Sequence, residues 1–149
     1  MSALRPTAAC LVLACSLAVS AASSDVRASP SPLVDKINHV RGAQGIRPLR
    51  YSPSLARSSS SFARYVLRTD RFAHAARIVA SGRFSMLGEV LALTRGWKLA
   101  RSRTLGYWLR SASHRAVVLS SSFRYVGAAR ARGRFGGRRA IVWTVQFGR

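Results

Sequence analysis

Apolar positions along this chain recur first with the period of a helix and later with the period of a strand. Leu33, Val34, Ile37 and Val40 follow Ser31-Pro32, a capping hydroxyl and a proline suited to the first helical position, so the spacing predicts a helix ending near Gly42 to Gly45. Pro48-Leu49-Arg50-Tyr51 reads as extended, and Ser52-Pro53 repeats the start signal. Leu55, Phe62, Ala63, Val66 and Leu67 predict a longer second helix to about Asp70, with Ser58 to Ser61 on its exposed side.

The pattern loosens after His74 and tightens again at Met86 to Leu93, a short apolar run suited to a buried strand. Helical spacing returns from Leu99 to Ser113 through Leu105, Trp108 and Leu109, and His114 to Leu119 reads as a further helical segment. Tyr125 to Ala129 and Ala140 to Phe147 read as strands joined across Gly133 to Gly137. Helices early, strands late and one buried strand between them predict an α+β layered domain. Trp108 and Trp143 are expected in its core, whereas Trp97 follows Gly96 in a loop.

The N-terminal segment has a different character. Arg5, an apolar run from Ala8 to Val19 and the small residues Ser20 to Ser23 read as a secretory signal peptide over 1–22, with 23–31 as a linker and 32–149 as one domain. That apolar run is too short to span a bilayer, so no transmembrane helix is expected in the mature chain. Val12-Leu13-Ala14-Cys15 faintly resembles a lipoprotein box, which leaves an anchored form through Cys15 as the alternative to a free secreted, extracellular product. Both cysteines, Cys10 and Cys15, fall in the signal, so the mature domain is held by its core rather than by disulfides.

Charge changes the list of partners. The chain carries 25 Lys and Arg against four Asp and Glu, a formal net charge of +21. Apart from Arg5 in the signal, its bases are nearly all arginine and are scattered from Arg27 to Arg149, without the aromatic interleaving of an RNA-binding sheet or a basic recognition helix. This scatter predicts a solvated cationic surface attracted to an anionic cell envelope, with no specific nucleic-acid site.

One carboxylate stands apart. Glu89 is the chain's single glutamate and lies in the apolar stretch Leu87-Gly88-Glu89-Val90, where an ionised group needs a positive or hydrogen-bonding partner. His74 and His114 are the candidates because both fall at element ends; His39 lies within the first helix and is expected at the surface. Asn38 and Arg41 are expected to tie that helix to the body of the domain.

Asn38-x-x-Arg41, Gly45 with Pro48-Leu49, Ser52-Pro53-Ser54-Leu55-Ala56, Phe72-x-His74, Gly88-Glu89, Trp108-Leu109-x-Ser111-x-x-His114-Arg115, Val126-Gly127 and Trp143-Thr144 with Phe147-Gly148 occur in a familiar order. In that order the chain resembles the bacterial secreted branch of the CAP superfamily, also called SCP-like, over about residues 33 to 149. The resemblance implies an α-β-α sandwich with a central antiparallel sheet and a cleft lined by histidines and acids. It implies that His74 and His114 are the cleft histidines and Glu89 the cleft glutamate, with Ser111 as a neighbour where many members carry a second acid. The usual Gly-Glu-Asn reads Gly88-Glu89-Val90 and the usual His-Arg-x-Asn reads His114-Arg115-Ala116-Val117, so two amides are replaced by valines.

Two imidazoles and a carboxylate are a common ligand set for zinc or another divalent metal with one open position. Three readings of His74, Glu89 and His114 stay open at this point: a metal site, a hydrogen-bonded structural cluster, and a general-base centre. No residue is assigned a catalytic role, because no second carboxylate faces Glu89 as a glycosidase would require. Ser111 and His114 share a helical face, yet no nucleophile elbow or oxyanion loop accompanies them. The expected function is a secreted, non-enzymatic binding module whose cleft holds a divalent metal or lies beside a small apolar, lipid-like ligand. The alternatives are a metal-dependent envelope hydrolase and a cationic protein attached to anionic wall polymers.

Overall fold

In the computed structural model, residues 31–96 and 101–149 are described; the signal segment 1–22 with Cys15, the linker up to residue 30, and Trp97 and Leu99 lie outside them. The elements run α1 (Pro32–Ala43), β1 (Arg50–Tyr51), α2 (Pro53–Thr69), β2 (Leu87–Arg95), α3 (Arg101–Arg110), α4 (Ala112–Val118), β3 (Tyr125–Phe135) and β4 (Arg138–Gly148). Ser31 and Ser52 cap α1 and α2 by accepting from the backbone N–H groups of Leu33 and Leu55, each just ahead of a proline.

The strands assemble in the order β1-β3-β4-β2. β4 pairs antiparallel with both β2 and β3, whereas the two-residue β1 lies parallel to β3. The sheet is therefore mixed rather than wholly antiparallel: β1 and β3 are joined by a long connection through α2, β2, α3 and α4, as a parallel pair requires. β3 and β4 are also longer than the apolar pattern predicted: Gly133 is a strand residue opposite Ala140, and the turn narrows to Gly136-Gly137. Both turn glycines have positive φ, 55° and 72°, as a two-residue hairpin with the right-handed strand twist demands.

Alternation along β4 distributes its side chains between two helical layers. Ile141, Trp143, Val145 and Phe147 join a core with Leu33, Val34 and Ile37 of α1, Leu105 and Trp108 of α3, and Val118 of α4. Val142 faces the other way, into a smaller core with Ala63 and Val66 of α2 and Leu91 of β2. Helices thus cover both faces of the sheet and form the α-β-α sandwich. Trp108 and Trp143 are buried as expected, and His39 is exposed.

The serine run corrects the sequence reading. Ser58 and Ser59 are buried, and only Ser61 of the run is exposed. β3 crosses α2 so closely here that a Cβ on Gly127 would sit 2.0 Å from the Ala56 nitrogen, and the Ser59 hydroxyl donates to the Gly127 carbonyl at 3.0 Å. Small side chains on the helix and none on the strand are the condition for that approach.

Asn38 and Arg41 do tie α1 to its surroundings. The Asn38 amide donates to Leu49 O and accepts from Leu49 N, fixing the segment before β1. Arg41 is fully buried and donates to four backbone contacts, through Nε and Nη2 to Arg47 O and through Nη1 to Val118 O and Ser120 O. Burial, with Arg124 adding repulsion, pulls its pKa below the ordinary arginine value. A cation on the Val118 carbonyl, the last of α4, complements the helix dipole and holds the helix that carries His114.

Candidate functional site

β2 is an edge strand, and its first residues meet the segment after α2 on one side and α4 on the other. Glu89 is the third residue of β2 and His114 the third of α4, while His74 lies between α2 and β2. The fold brings the three together: His74 Nδ1 lies 3.0 Å from Glu89 Oε1, and the rings of His74 and His114 are 6.3 Å apart between centroids.

Glu89 is the buried member. Its side chain is 5% exposed against 59% for His74. Oε1 also accepts from Ala75 N at 3.1 Å, and Oε2 accepts from Gln146 Nε2 at 2.9 Å. A carboxylate only accepts, so the Nδ1 facing it carries the hydrogen whether His74 is neutral or charged. In the neutral ring, Nε2 is then the lone-pair nitrogen.

His114 is oriented differently. Its Nδ1 lies 2.8 Å from Ser111 Oγ, which in turn is 3.3 Å from Ser113 Oγ. Ser111 occupies the N-cap position of α4, yet its hydroxyl turns to the histidine instead of capping a backbone N–H. Burial first, and repulsion from His74 second, lower the His114 pKa, which favours the neutral ring. Glu89 orients His74, and among the described residues no other acid is placed to complete a hydrolytic triad with the Ser111–His114 pair.

Gln146 is the site residue that sequence reasoning missed. It is fully buried, and Gln146 and Glu89 are direct cross-strand partners in the β2–β4 register. The available signal was an amide in the mostly apolar run Trp143 to Phe147, two residues from Thr144 on the same sheet face. Val90 and Val117, which stand where the resemblance implies amides, pack into or against the larger core. Val90 therefore points to the opposite sheet face from Glu89, and its loss of polarity is absorbed by packing rather than by the cleft.

The donor set discriminates between ways of holding a cation. Both Glu89 oxygens are occupied by protein donors, and among the described residues no three His, Asp or Glu side chains form a metal-holding group. What the cleft offers is a pair of imidazoles with each Nδ1 engaged by a protein oxygen, the pattern by which outer partners orient ligating histidines. Among the described residues no helix is long and apolar enough to cross a membrane.

Comparison with known proteins agrees with this architecture. An outer surface protein of Borrelia burgdorferi superimposes with a TM-score of 0.65 at 17% identity, over 79% of this chain and 90% of that one. An extracellular SCP-domain protein of Bacillus anthracis gives 0.64 at 19% identity, and a cysteine-rich secretory protein of Staphylococcus aureus 0.55 at 15%. This chain aligns with 39% and 36% of the lengths of those two, at 79% and 78% of its own. No curated protein sequence matches it. Residues 34–147 match the sequence profile of the cysteine-rich secretory protein family, a span that contains both cores apart from Leu33, all three cleft side chains, Ser111 and Gln146. By that match and by its fold, the chain belongs to the CAP family.

Proposed function

We propose that this CAP domain is an exported binding module whose cleft takes one divalent cation, zinc being the best chemical match, between the imidazoles of His74 and His114. Glu89 is the orienting group behind His74 rather than a ligand or a base. The observation that carries this reading is the triple occupation of Glu89: a buried carboxylate already accepting from His74, Ala75 N and Gln146 is poorly placed to take a proton from substrate. A bound cation would supply a positive centre to which water or an anionic group of a partner attaches.

Calorimetric titration of chelator-stripped protein with zinc chloride tests the proposal. One ion per chain is expected, with binding abolished in His74→Ala and His114→Ala. Glu89→Gln removes the charge but retains an acceptor, so it should weaken binding by about 10- to 100-fold, as outer-sphere changes do. Absence of saturable binding in the parent, or histidine variants that bind as tightly as the parent, overturns it.

A further inference from the structure

Next to the cleft, α2 and the segment spanning residues 75–81 enclose a second concavity of about 460 Å³, and Ala75 and Gln146 form the wall between the two. Its size is that of a small-molecule site. The Ser81 hydroxyl donates to Ser54 Oγ at 3.1 Å and ties the segment to the start of α2.

The lining has a consistent chemistry. Arg57 and Arg68 enter from α2 and Arg77 from the facing segment, and among the described residues no carboxylate lines the groove. Asp35 lies on α1, Asp70 accepts from Gly136 N, and Glu89 is taken up in the cleft, so no described acid pairs with Arg57 or Arg77. Phe62 and Tyr65 stack at 5.9 Å along the groove, and Arg68 lies over the Tyr65 ring at 5.9 Å. At the base, Gln146 is fully buried with Nε2 donated to Glu89, while its Oε1 has no partner among the described residues. A buried carbonyl oxygen left without a donor favours a ligand that brings one.

We propose that this groove is a binding site for a phosphorylated polyol. Arg57 and Arg77, from opposite walls, receive the phosphate; guanidinium groups suit its oxygens because they present several donors in one plane. Gln146 Oε1 and the serine hydroxyls meet the hydroxyl groups, and the Phe62 and Tyr65 rings support the carbon skeleton. The proposal does not depend on a cation in the cleft.

Two-dimensional amide spectra of the 32–149 domain, with its fold verified by the same spectra, are recorded during titration with sn-glycerol 3-phosphate at physiological salt. Saturable shifts confined to residues 54–68, 75–81 and the neighbourhood of Gln146 are expected. Arg57→Gln/Arg77→Gln should lower the affinity by about tenfold or more, the scale of losing one well-placed charged hydrogen bond. Arg47→Gln/Arg103→Gln removes the same charge elsewhere and should cost less than about threefold. The affinity should be the same with and without chelator, which separates this site from a cation in the cleft. Glycerol alone or inorganic phosphate alone should bind more weakly than the joined molecule. Vesicles of phosphatidylglycerol that bind and are displaced by the soluble ligand assign the polyol to a lipid headgroup; soluble binding without vesicle binding assigns it to a free or polymeric source. Shifts scattered over the arginine surface, or equal losses in the two double variants, refute the site.

Discussion

Removing the Glu89 carboxylate should destabilise the domain far more than neutralising it. In Glu89→Ala, Ala75 N–H and the Gln146 amide lose their acceptor in a shielded setting, whereas His74 is exposed enough to turn to water. Each buried donor left unpaired costs about 1–3 kcal/mol, so the alanine variant should lose about 2–6 kcal/mol. Glu89→Gln keeps an oxygen for His74 and Ala75, but its new amide confronts the Gln146 amide. Gln146 can resolve that conflict by rotating its amide, because its own Oε1 is free of any described partner. The loss is then confined to charge assistance on two shielded bonds, about 1–2 kcal/mol in all. Urea unfolding followed by tryptophan fluorescence, at neutral pH with chelator present, measures both variants against the parent at equal m-value. Equal costs for the two substitutions, or a cost below about 1 kcal/mol for alanine, would refute the hydrogen-bond account of Glu89.

Two further outcomes follow from the packing and the titrating groups. Gly127→Ala forces a Cβ to within 2.0 Å of the Ala56 nitrogen and 2.2 Å of the Leu55 carbonyl carbon, both backbone atoms, so α2 must lift off β3. The Ser59 hydrogen bond is lost with it, and thermal unfolding should register at least about 3 kcal/mol; a change within about 0.5 kcal/mol would contradict the close crossing. His114 titrates below the ordinary histidine value of 6.5, so in acid the unfolded chain takes up its proton first. Its contribution to stability is complete above pH 6.5 and is lost as pH falls through the lowered folded value. In chelator, the His114→Gln variant should lose less stability than the parent over that interval, measured by urea unfolding at stepped pH; parallel curves would contradict it.

The legible and illegible parts of this protein differ in the range of the interactions that set them. Helix starts were readable because Ser31-Pro32 and Ser52-Pro53 act within a few residues, and the structure has caps at both. Strand ends were not: Arg130, Arg132, Arg134 and the arginines after Gly137 break the apolar run, yet the β3–β4 ladder carries them because backbone pairing needs no apolar side chain. The buried serines could not be read from α2 alone, since their burial is imposed by Gly127, 68 residues away from Ser59. In the cleft, Glu89 was readable as an acid in need of a partner, with His74 and His114 as the candidates. Which atom meets which, and the entry of Gln146, depend on the β2–β4 register, which no local pattern encodes.

The arrangement of the imidazoles is open to direct observation. Long-range proton–nitrogen spectra of histidine-labelled protein resolve Nδ1 from Nε2 in each ring, with exposed His39 as the internal reference. On zinc titration, the account predicts that the Nε2 resonances of His74 and His114 move together to saturation at one ion per chain, while His74 keeps its Nδ1 hydrogen on Glu89. Loss of that Nδ1 hydrogen, or rings of His74 and His114 that respond no more than His39, would contradict it.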